Sequence, residues 1–345
     1  MSQPLSSASL ATLFPKSSKT ILLLCGGGSS EHDISLLSAN YVEQQLKMIP
    51  WTQVIRVEIT VNGWVAVSGE NVYLDMHEKS LCGLDAPIAI DFIVPCIHGF
   101  PGETGDIQSL FEMAKIPYLG CGAEASINSF NKITSKLWYD ALQIPNTPYV
   151  FLTDNTPSSI EAASAAFEKW GTVFVKAASQ GSSVGCYKVE KIEELAQAIT
   201  QAFGYSDQVL VERAVKPREL EVAAYEMGGQ LHITKPGEVI APNGTFYSYD
   251  EKYSAASHST TEIEAKNLTE EQVNQIQHYA AKAFRQMRLK HLSRIDFFLT
   301  ENDEIFLNEI NTFPGMTPIS MFPKMLQNHG DKFHEFLADC IGRAL

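Results

Sequence analysis

An apolar run, Thr20–Leu24, gives way to three glycines and two serines, Gly26-Gly27-Gly28-Ser29-Ser30, and a helix-patterned stretch follows from Asp33 to Lys47. Strand, glycine turn and helix in that order open a doubly wound α/β unit. Gln53–Thr60 and Asp91–Ile97 read as further strands of the same sheet. Gln108–Lys115 and Ser129–Leu142 read as helices, the second ending before Pro145.

Beyond residue 145 the pattern changes. Thr172–Lys176 predicts a strand that leads into the Ser/Gly loop Ala177–Gly185. Gln208–Val211, Glu219–Tyr225 and Leu231–Ile240 predict antiparallel strands. Pro242–Ser259 predicts a long polar loop with three tyrosines, the length and composition of a lid. Glu270–Met287 is patterned as an amphipathic helix. Leu292–Leu299 and Glu304–Leu307 then predict two strands, before a loop at Asn311–Pro318 and closing helices. The expected domains are a flexible leader over 1–18, an α/β unit over 19–128, a central unit over 129–225 and a C-terminal unit over 226–345.

Composition narrows the partners. With 345 residues and a net charge of −14, the chain repels phosphate backbones, which argues against a general nucleic-acid role. Any bound anion must then be met by individual Lys and Arg side chains. No 18-residue apolar run predicts a membrane span, and the Ser-rich first 18 residues lack the apolar centre of a secretory signal. The six cysteines form no CxxC pair and read as buried apolar residues in a reducing compartment, the cytoplasm.

Four constellations could carry chemistry. Gly26–Asp33 would let backbone approach a ligand at a helix N-terminus, or would be only a tight turn capped by Ser30 or Asp33. Without GxGxxG, a dinucleotide site fits poorly. His98-Gly99-Phe100-Pro101-Gly102-Glu103-Thr104-Gly105-Asp106 follows an apolar strand, where open α/β sheets bind ligands. Lys176–Gly185 puts a lysine at a strand end before a loop of N–H donors, suited to phosphates; the alternative is a β-hairpin loop with a solvated lysine. Arg294-Ile295-Asp296 and Asn308-Glu309-Ile310-Asn311 put hard oxygen donors on apolar strands, as Mg²⁺ on substrate phosphates requires. The competing reading there is a buried salt bridge of Arg294 with Asp296 or Glu309. His258, His278 and His291 read as surface residues.

In this order, GGGSSEHDIS, HGFPGETGDIQ, KAASQGSSVG, GTFYSYDEKY, SRIDFF and LNEINTFPGMT resemble the D-alanine–D-alanine ligases over about residues 20–345. The resemblance implies a three-domain ATP-grasp fold, of α/β and α+β class, with an N-terminal open parallel α/β domain. It implies that Lys132 and Lys176 hold the ATP phosphates, that Glu212 and Val215 meet the adenine and Glu219 the ribose, and that Lys252 reaches the γ-phosphate. Asp296, Glu309 and Asn311 would bind two Mg²⁺ ions, with Mn²⁺ as an alternative. Glu31 would hold the ammonium of the first D-alanine with His98 beside its carboxylate. Arg294 and the Gly315 N–H would stabilise the oxyanion, and Ser320 would bind the second carboxylate. Glu31, Ser182 and Tyr253 would form one hydrogen-bonded set. Small-molecule partners, D-alanine and ATP, and a homodimer are implied as well. The sequence departs from the family where Ala177 and Gln180 stand in the serine loop and Pro101 and Thr104 in the His98 loop. Glu251-Lys252-Tyr253 matches the dipeptide-forming members rather than those that make D-Ala–D-Lac or D-Ala–D-Ser. A non-catalytic nucleotide-binding protein is the reading from a different class.

Overall fold

A computed structural model of the chain describes residues 17–240 and 260–345. The expected lid, with Lys252, Tyr253 and His258, and most of the expected leader lie outside the described residues. Three sheets form the frame.

The first sheet begins with β1 (Lys19–Gly26), buried on both faces as its unbroken Ile21–Cys25 run requires. Helix α1 (His32–Lys47) follows, then β2 (Thr52–Thr60), β3 (Gly63–Ala66), β4 (Asn71–Asp75), β5 (Ser80–Cys82), β6 (Ile88–Ala89) and β7 (Phe92–Pro95). The strand order is β6-β5-β4-β3-β2-β1-β7. Only β2, β1 and β7 run parallel; β3 to β6 are added by hairpins as an antiparallel meander. The expected open parallel sheet is therefore mixed, because short connections can only reverse a strand. Ile21, Leu23 and Cys25 pack with Ala39, Val42 and Leu46 of α1. On the other face Leu22 and Leu24 pack with Ile107, Phe111 and Ala114 of α2 (Asp106–Ala114).

The helix expected over Ser129–Leu142 is two helices, α3 (Ala123–Phe130) and α4 (Lys132–Ala141). Asn131 separates them. Its backbone is extended, and its Oδ1 accepts from the Ile133 and Thr134 N–H groups at 3.0 Å each. A residue that caps the next helix so well ends the previous one.

The second sheet holds β8 (Tyr149–Leu152), β9 (Val173–Ala177), β10 (Cys186–Val189) and β11 (Val209–Arg213), all antiparallel, in the order β10-β9-β11-β8. Helices α5 (Pro157–Trp170) and α6 (Ile192–Phe203) cover one face. The third sheet contains β12 (Pro217–Met227), β13 (Gln230–Ile233), β14 (Gly237–Ile240), β15 (Thr260–Glu262), β16 (Leu292–Thr300) and β17 (Ile305–Asn311). The single strand expected over Leu231–Ile240 is thus β13 and β14, separated at Lys235-Pro236, where proline has no N–H for a ladder. The change of sheet falls between Arg213 and Pro217, because β12 pairs with β16 from Pro217 to Tyr225.

Helix α7 (Glu270–Gln286) packs Ile276, Ala280 and Phe284 on Leu220, Val222, Ala224, Ile295 and Phe297. The opposite face turns Ala223, Tyr225 and Leu292 towards α8 (Met321–His329) and α9 (Phe333–Ala344), whose Phe322, Phe336 and Leu337 share one core with β1 and α1. The end of the chain is thereby packed on its beginning. Among the described residues no helix is long and apolar enough to cross a membrane. Cys25, Cys82, Cys96, Cys121 and Cys340 are buried and Cys186 is half-buried. His291, expected at the surface, is buried: its Nδ1 accepts from the Gly120 N–H at 3.0 Å.

Candidate active site

The glycine turn after β1 is a place where backbone comes too close for side chains. Gly26 has φ +85°, and a Cβ there would lie 2.5 Å from the Ile59 carbonyl oxygen; at Gly27, φ is +109° and a Cβ would lie 2.9 Å from that of Phe100. The tight packing brings Glu31, the residue preceding α1, towards the serine loop. Neither Ser30 nor Asp33 caps α1: Glu31 is the cap residue, its side chain makes no cap bond, and its N–H donates to Ser29 Oγ at 3.2 Å. Ser182 Oγ donates to Glu31 Oε1 at 2.6 Å, joining segments 151 residues apart. Ser182 and Ser183 have φ of +49° and +61°, a left-handed backbone that costs non-glycine residues energy and is concentrated at functional sites.

His98 follows β7 and is buried. Its Nδ1 lies 3.1 Å from the Phe313 carbonyl and its Nε2 2.9 Å from Ser38 Oγ. The carbonyl can only accept, so Nδ1 carries the proton and Nε2 accepts from Ser38. Burial lowers the His98 pKa against the pull of Glu31, which suits that neutral form. Glu103 accepts from the Gly99 N–H at 2.9 Å and the Phe313 N–H at 3.5 Å. Desolvation, helped by the charge of Glu31, pushes its pKa up to about 8.

On the third sheet, Glu221, Asp296 and Glu309 are register partners across β12, β16 and β17, and Ala223, Arg294 and Asn311 form the next row. Both rows share the face opposite the α7 core. A bulge makes this possible: Leu307 opposes Phe297 in the core, yet Glu309 opposes Asp296, so Asn308 is the extra residue. Arg294 donates to Asp296 through Nε at 2.8 Å and Nη2 at 2.7 Å, and lies 3.4 Å from Glu221. Asn311 Nδ2 donates to Asp296 Oδ2 at 3.0 Å. Burial alone would lower the Arg294 pKa, but Asp296 and Glu221 hold it well above its usual value. The competing salt bridge is therefore present and adjoins the oxygen donors. Among the described residues no three His, Cys, Asp or Glu side chains converge on a metal position by themselves. Two carboxylates and an amide, completed by phosphate oxygens, still form a donor set that suits Mg²⁺.

The second sheet contributes the cations. Lys176 on β9 is not solvated: its Nζ lies 2.6 Å from Glu212 Oε2, and Lys136 of α4 lies 2.6 Å from Glu212 Oε1. The Glu212 side chain is 3% exposed. Thr147 Oγ1 donates to it as well, and Lys136 also donates to Asn146 and Thr147. Burial would raise the Glu212 pKa, but the two lysines outweigh it and hold the carboxyl well below its ordinary range. Burial would likewise lower the Lys176 pKa, but Glu212, with smaller help from Cys186 and Glu309, raises it instead. Lys132 opens α4 and donates to the Gln180 carbonyl, which docks the helix on the serine loop. Val215 lies in the β11–β12 connection and Glu219 on β12, both half-buried. Ser320 caps α8 and accepts from the Thr317 N–H at 3.0 Å, with Gly315 close by.

The structure thus gathers Glu31, Ser182, His98 and Gly315 at one junction, Arg294, Asp296, Glu309 and Asn311 on one sheet face, and Lys176 with Glu212 on the second sheet, where Lys132 adjoins the serine loop. Sequence reasoning did not single out Ser38, Lys136 and Glu221, and gave Glu103 no role beyond its place in the His98 loop. Two of them carried a signal: Lys136 is one helical turn from Lys132, and Glu221 alternates with Glu219 on an otherwise apolar strand.

Known proteins resemble this chain over nearly its whole length. Residues 20–121 match the family model of the D-ala D-ala ligase N-terminus and residues 138–342 that of the C-terminus. A D-alanine--D-alanine ligase of Vibrio parahaemolyticus serotype O3:K6 is 73% identical over 326 residues, 94% of this chain and 99% of that protein. The crystal structure of D-alanyl-alanine synthetase A from Vibrio cholerae O1 biovar eltor superposes with a TM-score of 0.92 at 66% identity, covering 96% of this chain and 99% of the other. The VanG D-Ala:D-Ser ligase of Enterococcus faecalis, 28% identical, superposes at 0.84 over 95% of this chain and all of its own. The fold is the ATP-grasp fold, and the chain belongs to the D-alanine–D-alanine ligase family.

Proposed function

We propose that this chain condenses two D-alanines to D-alanyl-D-alanine, cleaving ATP to ADP and phosphate, by way of a D-alanyl phosphate. Family membership carries the use of ATP and a divalent metal. The observation that most supports the full reading is the paired rows on the third sheet, which put a half-buried Arg294 beside Asp296, Glu309 and Asn311.

A carboxylate is a poor acyl donor, and phosphorylation makes it a good one. Lys132 and Lys176 would hold the ATP phosphates, with Lys252 reaching the γ-phosphate. Lys176 is held beside Glu212 until a competing anion arrives. Glu212, Val215 and Glu219 would receive adenine and ribose. Asp296, Glu309 and Asn311 would hold two Mg²⁺ ions, or Mn²⁺ in their place; bound there, the metal neutralises charge on the transferring phosphoryl group. Glu31, with Ser182 and Tyr253, would hold the first ammonium, with His98 beside that alanine's carboxylate. Ser320 would orient the second alanine through its carboxylate. Attack of the second amine makes the C–N bond and expels phosphate. Arg294 and the Gly315 N–H would stabilise the oxyanion between those events. We also propose a cytoplasmic homodimer.

Phosphate release from purified protein with ATP and Mg²⁺ tests this, with D-alanine, L-alanine, D-lactate and D-serine in parallel. Release that needs D-alanine and yields D-Ala-D-Ala is expected. Release with D-serine or D-lactate as the preferred second substrate would replace the specificity, a needed arm because the VanG fold is shared. ATP binding without release would leave a nucleotide-binding protein.

A further inference from the structure

The segment Phe313-Pro314-Gly315-Met316 belongs to the C-terminal part of the chain, yet the N-terminal unit holds it at three backbone atoms. His98 Nδ1 donates to the Phe313 carbonyl at 3.1 Å, Glu103 accepts from the Phe313 N–H at 3.5 Å, and Ser38 accepts from the Met316 N–H at 3.2 Å. These contacts bracket the Pro314–Gly315 peptide plane on both sides. Proline has no N–H to anchor, so the neighbours must set the direction of the Gly315 N–H. Among the described residues that N–H donates to none. Phe313 and Met316 are 3% and 0% exposed, locked in the core shared with β1 and α1. The three holding groups also support each other: Ser38 Oγ accepts from Met316 and donates to His98 Nε2, while Glu103 fixes the Gly99 N–H next to His98.

We propose that Ser38 and Glu103 are positioning residues that aim the Gly315 N–H at the oxyanion, which makes the donor a product of contact between the N-terminal unit and the C-terminal loop. Arg294 comes from the third sheet, so one oxyanion partner is fixed within that sheet and the other depends on this clamp. The proposal rests on the ligase reading given above. In the second half-reaction the amine nitrogen bonds to the acyl carbon, the carbon–oxygen bond to phosphate breaks, the amine loses a proton and phosphate leaves. A misdirected donor slows that step. It does not slow formation of the acyl phosphate, nor its loss to water by cleavage at phosphorus after release, which gives D-alanine and phosphate.

The test compares phosphate and dipeptide formed per unit time by the full-length wild type, Ser38→Ala, Glu103→Ala and Glu103→Gln. The two alanine variants should lose about tenfold to a hundredfold in dipeptide turnover, a fraction of what complete loss of an oxyanion donor costs. Their KM for ATP should stay within about twofold, and phosphate released per dipeptide should rise above the wild-type ratio. Glu103→Gln, whose single amide oxygen can accept from the Gly99 or the Phe313 N–H but not from both, should recover part of the coupling. Phosphate and dipeptide falling together, with a lowered thermal midpoint, would mean the contacts only hold the fold and would overturn the proposal. So would Glu103→Gln behaving like Glu103→Ala, or unchanged kinetics in the alanine variants. Wild-type protein that makes no ADP in response to D-alanine would reject the ligase reading instead.

Discussion

Glu212→Gln tests a buried carboxylate shared by two lysines. The carboxylate is 3% exposed and has a lysine 2.6 Å from each oxygen, Lys136 at 3% and Lys176 at 14% exposure. Gln has the same shape but leaves two enclosed cations facing a neutral amide. Removing one partner of a buried pair costs about 3–5 kcal/mol, and the Asn146 and Thr147 contacts of Lys136 place the expected loss near the lower end. Lys136→Met should cost less, about 1–2 kcal/mol, because Glu212 keeps Lys176 and Thr147. The double variant should be more stable than the sum of the two losses by about 1–3 kcal/mol, since Lys136→Met removes one of the stranded cations. Urea unfolding at neutral pH without nucleotide, followed by the fluorescence of Trp138 on α4, measures all three. The pH dependence has a definite sign. Glu212 is depressed below its ordinary value of 4.5, so its contribution is complete above that value and is lost as pH falls through the folded value. Wild type and Glu212→Gln should therefore converge in acid. A Glu212→Gln loss under about 0.5 kcal/mol, or strict additivity in the cycle, would refute a carboxylate shared by two buried lysines.

Three further substitutions probe other parts of the chain. Asp296→Asn or Glu309→Gln should remove most metal-dependent phosphoryl transfer, seen as loss of ADP formation that excess Mg²⁺ restores only in part; near-normal turnover in both would contradict the metal assignment. His291 is pushed down to about 3, by burial and then by Lys290. Its stabilisation is complete above its ordinary value of 6.5 and declines as pH falls towards 3, by about 1.4 kcal/mol per pH unit. His291→Asn keeps an acceptor for the Gly120 N–H and tolerates the left-handed φ of +61°. It should show a shallower loss in acid urea titrations, and an equally steep loss would show that His291 does not drive it.

Much of the site was legible one strand at a time. Lys176 at a strand end, Asp296 among apolar neighbours, and Glu309 with Asn311 two apart all stand out because charge on a buried strand needs a partner. The hairpin loop after Lys176 was readable too, although the lysine is paired rather than solvated. Elements with weak local signals were not. β3 to β6 are two to five residues long, too short for alternation to register. Asn131, which splits a continuous helical pattern, acts through cap bonds that depend on its backbone turning out of the helix.

Local residue pattern was enough for the strand–glycine–helix opening, the apolar run of β1, the amphipathic α7 and the acids and amide of β16 and β17. Each follows from the period of apolar residues or from a residue type that tolerates few conformations. Only the tertiary structure decided that Glu221 joins the row of Asp296 and Glu309, that Asn308 bulges to turn Glu309 away from the core, and that Lys136 shares Glu212 with Lys176. The same holds for the grip of Ser38, His98 and Glu103 on residues more than two hundred positions away. Local sequence carries dihedral preference and burial tendency over one or two turns. Which charges meet is set by sheet order, register and the packing of the chain's end on its beginning.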